Sequence, residues 1–337
     1  MHMERFRIGI IGAGHIAEKM AYTLGRMNDA EAYGIASRDI ARAGEFARRH
    51  NVRKAYGSYE EMAEDPEIQL IYVATPHSLH FPHVKMCLEK NKPVLCEKSF
   101  MLNRAEAEET VRISEEKGVF LAEAIWTRYM PFRKTVSDIL RSGRIGTPMM
   151  ITAHLGYPVA GKERIVSPGL GGGALLDLGV YVINFAMMMF GDGMERIVSS
   201  CVKSPSGVDM QDSITFIWPD GRMAVMQATA MCASERQAII SGDKGYIVLD
   251  NINNPLRAWI YSSSHELEET IEAPEQITGF EYQVRACIQA IRAGKTETEF
   301  MPHSETVRVM GIMDSLRKEW GVIFPQEKSG IAGNPLQ

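Results

Sequence analysis

The stretch RIGIIGAGHIA (7–17) constrains this chain more than any other, because an apolar run leads straight into Gly12-x-Gly14-x-x-Ala17. The run reads as a buried strand and the glycines as a turn too tight for side chains. Gly12 permits the turn, Gly14 lets the backbone approach a pyrophosphate, and the small Ala17 lets the next helix pack close to the sheet. That helix would begin at His15 and Ile16, whose free N–H groups face phosphate oxygens. On the first strand of an alternating β/α half, the motif points to a dinucleotide site.

The alternation runs on to residue 123. Strand-like runs at 6–11, 32–36, 54–57, 69–75, 93–97 and 119–123 are separated by amphipathic stretches at 15–27, 39–50, 79–91 and 103–117. This predicts a doubly wound, Rossmann-type parallel sheet covered on both faces. After about residue 124 the rhythm changes. A helix near 130–142, a strand in TPMMITAHLGY and a helical 174–190 precede closely spaced strand-like runs at 196–204, 208–219, 222–232, 236–242 and 246–250. Pro219-Asp220-Gly221 and Gly242-Asp243-Lys244-Gly245 are hairpin turns. Helices at 279–293 and 303–320 follow, and the tail from 325 is expected to fray. The expected domains are 1–124, α/β, and 125–337, α+β with a mainly antiparallel sheet.

The 337 residues suffice for two cores, and 45% hydrophobic with 23% charged residues is ordinary for a globular enzyme. A net charge of −5 argues against nucleic acid or an anionic membrane as partner. The basic run Arg48-Arg49-His50, Arg53 and Lys54 reads as a solvated helix end. No apolar stretch is expected to reach the roughly 18 residues that span a bilayer, and the N-terminus carries a strand instead of a leader. Cys87, Cys96, Cys201, Cys232 and Cys287 are few, odd in number and without a CxxC, which suits reduced thiols in a cytoplasm.

Cofactor choice rests on the end of the second strand, Ala36-Ser37-Arg38. A hydroxyl and a guanidinium suit a 2′-phosphate, and Arg42, one turn on, adds charge. Asp39 is the counter-argument, although it also fits as a helix cap. NADP is therefore expected, with NAD as the alternative.

The chemical end begins with GGGALLDLGVY (171–181). At about 100° per residue Asp177 and Tyr181 share one helix face, and the preceding glycines leave room for a ligand. A buried tyrosine with a satisfied hydroxyl is the competing reading. Cys96-Glu97-Lys98 closes the fifth strand, where ligands of open parallel sheets bind. An ammonium beside a phenol favours the phenolate, so Lys98 and Tyr181 form a candidate proton-transfer pair, with Asp177 orienting and neutralising it.

GAGHIA, ATPHSLH, CEK, EAIWTRYMP and GGGALLDLGVY, in this order and spacing, resemble the glucose-fructose oxidoreductase/inositol dehydrogenase/MocA (Gfo/Idh/MocA) superfamily. The D-x-G-x-Y form, with Glu123-Ala124-x-Trp126-Thr127-Arg128, is similar to its dimeric dihydrodiol dehydrogenase branch, which includes D-xylose dehydrogenases. The resemblance implies an NAD(P)-binding Rossmann domain and a second domain whose open sheet often forms a dimer. It also implies that Lys98 and Tyr181 transfer protons with Asp177 as partner, and that Thr75, Pro76, His80, Glu97 and Lys98 border the nicotinamide and its ribose. The family usually has Glu-Lys-Pro, often with a cis bond, where this chain has Ser99. A cis bond before a non-proline costs about 2.5–4 kcal/mol, so trans is expected here.

His77, His80 and His83 fan apart on a helix and lack a carboxylate or thiol, so no metal is expected. Trp126, Arg128 and Phe280 are candidates for lining a substrate pocket, the alternative being core aromatics and a surface arginine. Arg164 is a further candidate anchor. The expected activity is NADP-dependent hydride transfer between the nicotinamide and a secondary alcohol or ketone of a small sugar, polyol or trans-dihydrodiol. The alternatives are an anhydrofructose-type sugar reductase, or a non-catalytic NADP-binding regulator of the same fold.

Overall fold

The six apolar runs of the first third become β1 (Phe6–Ile11), β2 (Ala30–Ala36), β3 (Lys54–Tyr56), β4 (Leu70–Val73), β5 (Val94–Glu97) and β6 (Leu121–Ala124) in the computed structural model, which describes residues 5–328. They form one sheet in the order β3-β2-β1-β4-β5-β6, with every pairing parallel. The intervening helices are α1 (His15–Leu24), α2 (Ile40–His50), α3 (Tyr59–Glu64), α4 (His80–Glu89) and α5 (Arg104–Lys117). Helices cover both faces, which is why β4 (LIYV) and β5 (VLCE) are buried at every position. The strand order reverses direction between β1 and β4, so the ligand crevice of such a sheet opens beyond their carboxyl ends.

The second sheet has eight strands: β7 (Pro148–Gly156), β8 (Arg196–Lys203), β9 (Asp209–Ile217), β10 (Met223–Thr229), β11 (Ala238–Gly242), β12 (Gly245–Leu249), β13 (Arg257–Ser262) and β14 (Leu267–Glu272). Their order is β14-β13-β12-β11-β7-β10-β9-β8, and only β7 and β10 pair in parallel. The sequence reading missed β13 and β14. The latter, LEETIE, is an edge strand whose exposed glutamates blunt its open side, and such residues carry little strand signal. The helices here are α6 (Pro131–Arg141), α7 (Glu163–Val166) and α8 (Val180–Phe190), and α8 lies against β7 and β10.

Two expectations need correction in this region. Residues 174–190 are not one α-helix: Leu175–Gly179 is a π-turn that runs into α8, so the 100° step does not apply across Asp177. The segment Pro168–Phe190, whose most apolar 18-residue window has a mean hydropathy of 1.7, is also long and apolar enough to cross a membrane by length and composition. Here 89% of its most apolar window is buried, because it fills the core under the second sheet.

After β14 come α9 (Phe280–Arg292), α10 (His303–Trp320) and α11 (Pro325–Lys328). Residues 325–328 are helical instead of frayed, since buried Arg317 holds Glu327 with two hydrogen bonds of 2.8 and 2.9 Å; the rest of the expected tail lies outside the described residues. By contacts, one unit takes the described residues up to Trp126 and then Gln276–Gly311. The other takes Thr127–Glu275 and the described residues from Ile312. Within the first unit α9 lies against α1, with Thr23 and Thr278 hydroxyls 2.7 Å apart and Arg285 donating to Asp29 at 3.0 Å.

Candidate active site

The glycine turn is built as its sequence requires. Gly12 has φ +97°, and a Cβ there would lie 2.8 Å from the Ala74 carbonyl oxygen. Gly14 caps α1 without any side-chain hydrogen bond, and a Cβ on it would meet no atom within 4 Å. That open space in front of α1 is where a diphosphate fits. His15 is exposed at the helix start and Ile16 half-buried. At the end of β2, Ser37 is buried and Arg38 exposed. Asp39 accepts the Ala41 N–H at 2.8 Å, so its carboxylate serves as the cap of α2. Arg42 reaches back to donate to the Ala13 carbonyl at 2.9 Å, which sets a guanidinium beside the glycine turn. These residues fit a dinucleotide carrying an extra phosphate.

Beyond β4 and β5 the three histidines act as ties. Fully buried His80 places Nε2 2.8 Å from the Thr75 carbonyl and Nδ1 3.0 Å from those of Ser99 and Phe100. Burial holds its pKa below the ordinary value against the pull of those carbonyls. His83 Nδ1 lies 3.1 Å from the Thr75 hydroxyl, and its pKa is lowered to about 4 by burial and by His80. His77 Nε2 lies 3.3 Å from the Lys98 carbonyl. Thr75 and Pro76 are thus fastened to the Lys98–Phe100 segment. The Lys98–Ser99 bond is cis, which corrects the expectation of trans. Ser99 is fully buried there, with its carbonyl against His80. Glu97 is buried, accepts the Tyr72 hydroxyl and takes the Lys98 N–H at 3.2 Å. Burial raises its pKa, while the Lys98 charge and the Tyr72 hydrogen bond pull it down.

Trp126 and Phe280, 4% and 1% exposed, meet with ring centroids 5.0 Å apart. The sequence reading missed what joins them: the Lys19 ammonium lies 4.4 Å from the Trp126 ring and 4.1 Å from that of Phe280. Burial lowers the Lys19 pKa, and the Glu97 and Glu281 charges oppose that shift. Nothing in the helical pattern of α1 distinguishes this lysine from a surface one. Arg128 is buried rather than exposed and donates to Asn184 at 2.6 Å, in the second unit.

In the second unit the structure brings Arg164 and Asp177 together. Arg164 Nη1 donates to Asp177 Oδ1 at 2.7 Å, so a cation balances the carboxylate inside this unit. Tyr181 is buried, 8% exposed, in the first turn of α8.

The first unit's residues 6–124 match a family described as an oxidoreductase family with an NAD-binding Rossmann fold, and residues 134–248 match the GFO/IDH/MocA C-terminal domain. A trans-1,2-dihydrobenzene-1,2-diol dehydrogenase of Danio rerio is 34% identical over 335 residues, spanning 95% of this chain and 98% of that protein. The Homo sapiens protein of the same name is 32% identical, over 96% of this chain and 99% of its own. KijD10, a 3-ketoreductase from Actinomadura kijaniata in complex with NADP and TDP-benzene, superposes with a TM-score of 0.86 at 25% identity, over 94% of this chain and 98% of its own. An aldose-aldose oxidoreductase from Caulobacter crescentus, 17% identical with a TM-score of 0.84, shares the fold over 94% of this chain and 98% of its own.

Proposed function

The chain belongs to the Gfo/Idh/MocA oxidoreductase family, and from that premise we propose that it is an NADP-dependent enzyme acting on a secondary alcohol, or its ketone, in a small sugar, polyol or trans-dihydrodiol. The likeness to dihydrodiol dehydrogenases over 95% of this chain carries this reading. When bound, the dinucleotide supplies or accepts the hydride. The chain's part is to bind, orient and manage one proton. Gly12, Gly14, His15 and Ile16 hold the diphosphate, and Ser37, Arg38 and Arg42 hold the 2′-phosphate. Thr75, Pro76, His80 and Glu97 border the nicotinamide side. Tyr181 exchanges the proton of the reacting hydroxyl, with Lys98 favouring its phenolate form. Asp177 raises the cost of that phenolate by its own charge, and Arg164 offsets it. Trp126, Arg128 and Phe280 shape the substrate side.

Turnover of NADP or NADPH against sugars, polyols, trans-dihydrodiols and their ketones tests the reading. Tyr181→Phe should lower kcat by at least 100-fold with the NADP Kd unchanged. Tight NADP binding without turnover on any substrate, and no effect of Tyr181→Phe, would favour a regulator. The likeness to a 3-ketoreductase favours a second reading, reduction of a sugar ketone by the same groups run in reverse.

We also propose a homodimer through the outer face of the second sheet. Val198, Thr215, Val225, Thr152, Ile239, Val248 and Trp259 form one cross-strand row there, half-buried or exposed. A second copy would cover these apolar groups. Light scattering should give twice the chain mass, and Val225→Asp should give the monomer; a monomeric wild type refutes the dimer. All five cysteines are free thiols, which supports a reducing compartment such as the cytoplasm.

A further inference from the structure

Two carboxyls of β9, Asp209 and Asp212, are 1% and 2% exposed. A bulge turns both inward: Lys203 pairs with Asp209 and Val202 with Gln211, so Met210 is passed over. Asp209 Oδ2 accepts the Leu175 N–H at 2.6 Å, and the Ala174 N–H points at the same carboxylate. Gly173 has φ +120°, and a Cβ on it would lie 2.4 Å from Asp209 Oδ1. The last glycine of the GGG run is therefore required by this carboxylate. At the other end of the π-turn, a Cβ on Gly179 would lie 3.7 Å from Asp212 Oδ2. The two acids thus bracket the turn that carries Asp177 at its centre and leads into Tyr181.

We propose that Asp209 is a positioning residue of the reaction: its carboxylate clamps the entry of the π-turn and so sets where Asp177 and Tyr181 stand. The inference rests on the proposed roles of those two residues. An α-helix starting here would give its first N–H groups to solvent or a cap; this segment gives them to a strand buried beneath it. The clamp is a buried carboxyl oxygen accepting a backbone N–H in a dry site, where such a bond is strong. Asp212 receives no N–H or O–H donor among the described residues. Burial and the adjoining Asp209 push its pKa well above the carboxylate range, while at Asp209 burial also raises the pKa and the Leu175 and Ala174 N–H groups and Arg317 pull it back down. The other charged or titratable groups around the pair are Arg317 of α10, and Cys201 and Lys203 of β8.

The test compares Asp209→Ala, Asp209→Asn and Tyr181→Phe in the full chain. Asp209→Ala should lower kcat at least tenfold and shift the pH limb of kcat set by Tyr181 by half a unit or more. The NADP Kd should stay within twofold. A folded Asp209→Ala protein with kcat within threefold of wild type and an unmoved limb overturns the proposal. If that variant does not fold, Asp209→Asn decides, since it keeps the shape and replaces the carboxyl with an amide. A kcat loss of about fivefold with a moved limb supports the clamp, and wild-type behaviour overturns it. Full activity in Tyr181→Phe would overturn the proposed role of Tyr181 and this inference together. An inactive Tyr181→Phe beside an active Asp209→Ala overturns this inference alone.

Discussion

Gly14→Ala should leave the first unit folded and yet remove most of its affinity for the dinucleotide. Gly14 sits at φ −99° and ψ 180°, extended backbone that any residue adopts, and its added Cβ would touch no protein atom within 4 Å. As an N-cap, alanine is worse than glycine by up to about 1 kcal/mol. Restricting the unfolded chain returns about 0.4–1 kcal/mol. The two offset, so stability should change by less than about 0.5 kcal/mol and Tm by less than about 2 °C. Binding is another matter, because the Cβ occupies the space through which a phosphate reaches the first N–H groups of α1. Losing one charge-assisted hydrogen bond costs about 1.5–3 kcal/mol, which raises Kd by about 12- to 160-fold. Calorimetric titration with NADP, run beside thermal unfolding, reads both quantities. A Kd within threefold of wild type, at unchanged Tm, would refute the assignment of this space to phosphate. Gly12→Ala should behave in the opposite order. Its φ of +97° and the Ala74 carbonyl 2.8 Å from the new Cβ load the fold itself, by about 2–5 kcal/mol.

Arg38→Ala with Arg42→Ala should weaken NADP by at least tenfold and leave NAD within twofold, as measured by Kd for each; equal losses would place the guanidiniums away from the 2′-phosphate. His83 binds its proton at about 4 in the folded chain and near its ordinary 6.5 when unfolded. The unfolded state therefore takes up more protons below 6.5, and the stability His83 permits at neutral pH is lost as pH falls from about 6.5 to about 4, by at most about 3 kcal/mol. Urea melts at pH 7 and 4.5 should show a smaller acid loss in His83→Gln than in wild type, and identical losses would contradict the burial of this ring as the cause. Arg164→Met should lower kcat by about threefold to tenfold, because an unbalanced Asp177 disfavours the Tyr181 phenolate; a pH limb that does not move upward would break that link.

Period and turn chemistry made the first sheet legible. Unbroken apolar runs such as LIYV and VLCE suit strands covered on both faces, and a capped helix neighbours each: α3, capped by Ser58, comes before LIYV, and α5, capped by Asn103, comes after VLCE. The second sheet was legible where strands alternate, as in β10, and illegible at β14, whose Glu268, Glu269 and Glu272 are chosen for an edge instead of a core. At the candidate site, local motifs located Gly12, Gly14, Glu97, Lys98, Asp177 and Tyr181. The pairings around the site were not legible, because no local pattern joins Lys19 to Trp126, His80 to Ser99, Arg164 to Asp177 or Asp209 to Leu175. The π-turn escaped for a related reason. Its side-chain partner from β9, Asp209, is distant in sequence, and nothing in LLDLG separates a π-turn from an α-helix.

The return of Gln276–Gly311 to the first unit has a consequence for biosynthesis. The six strands of the parallel sheet leave the ribosome early, but Phe280, Val284, Cys287 and Ile288 of α9, all buried, arrive only after the whole second sheet has been made. Until then the flank of α1 that α9 covers is bare, and a nascent chain must keep that greasy strip from sticking to its neighbours. A fragment ending at Trp126 would carry the same bare flank permanently, so the nucleotide-binding half is one that only the finished polypeptide can close.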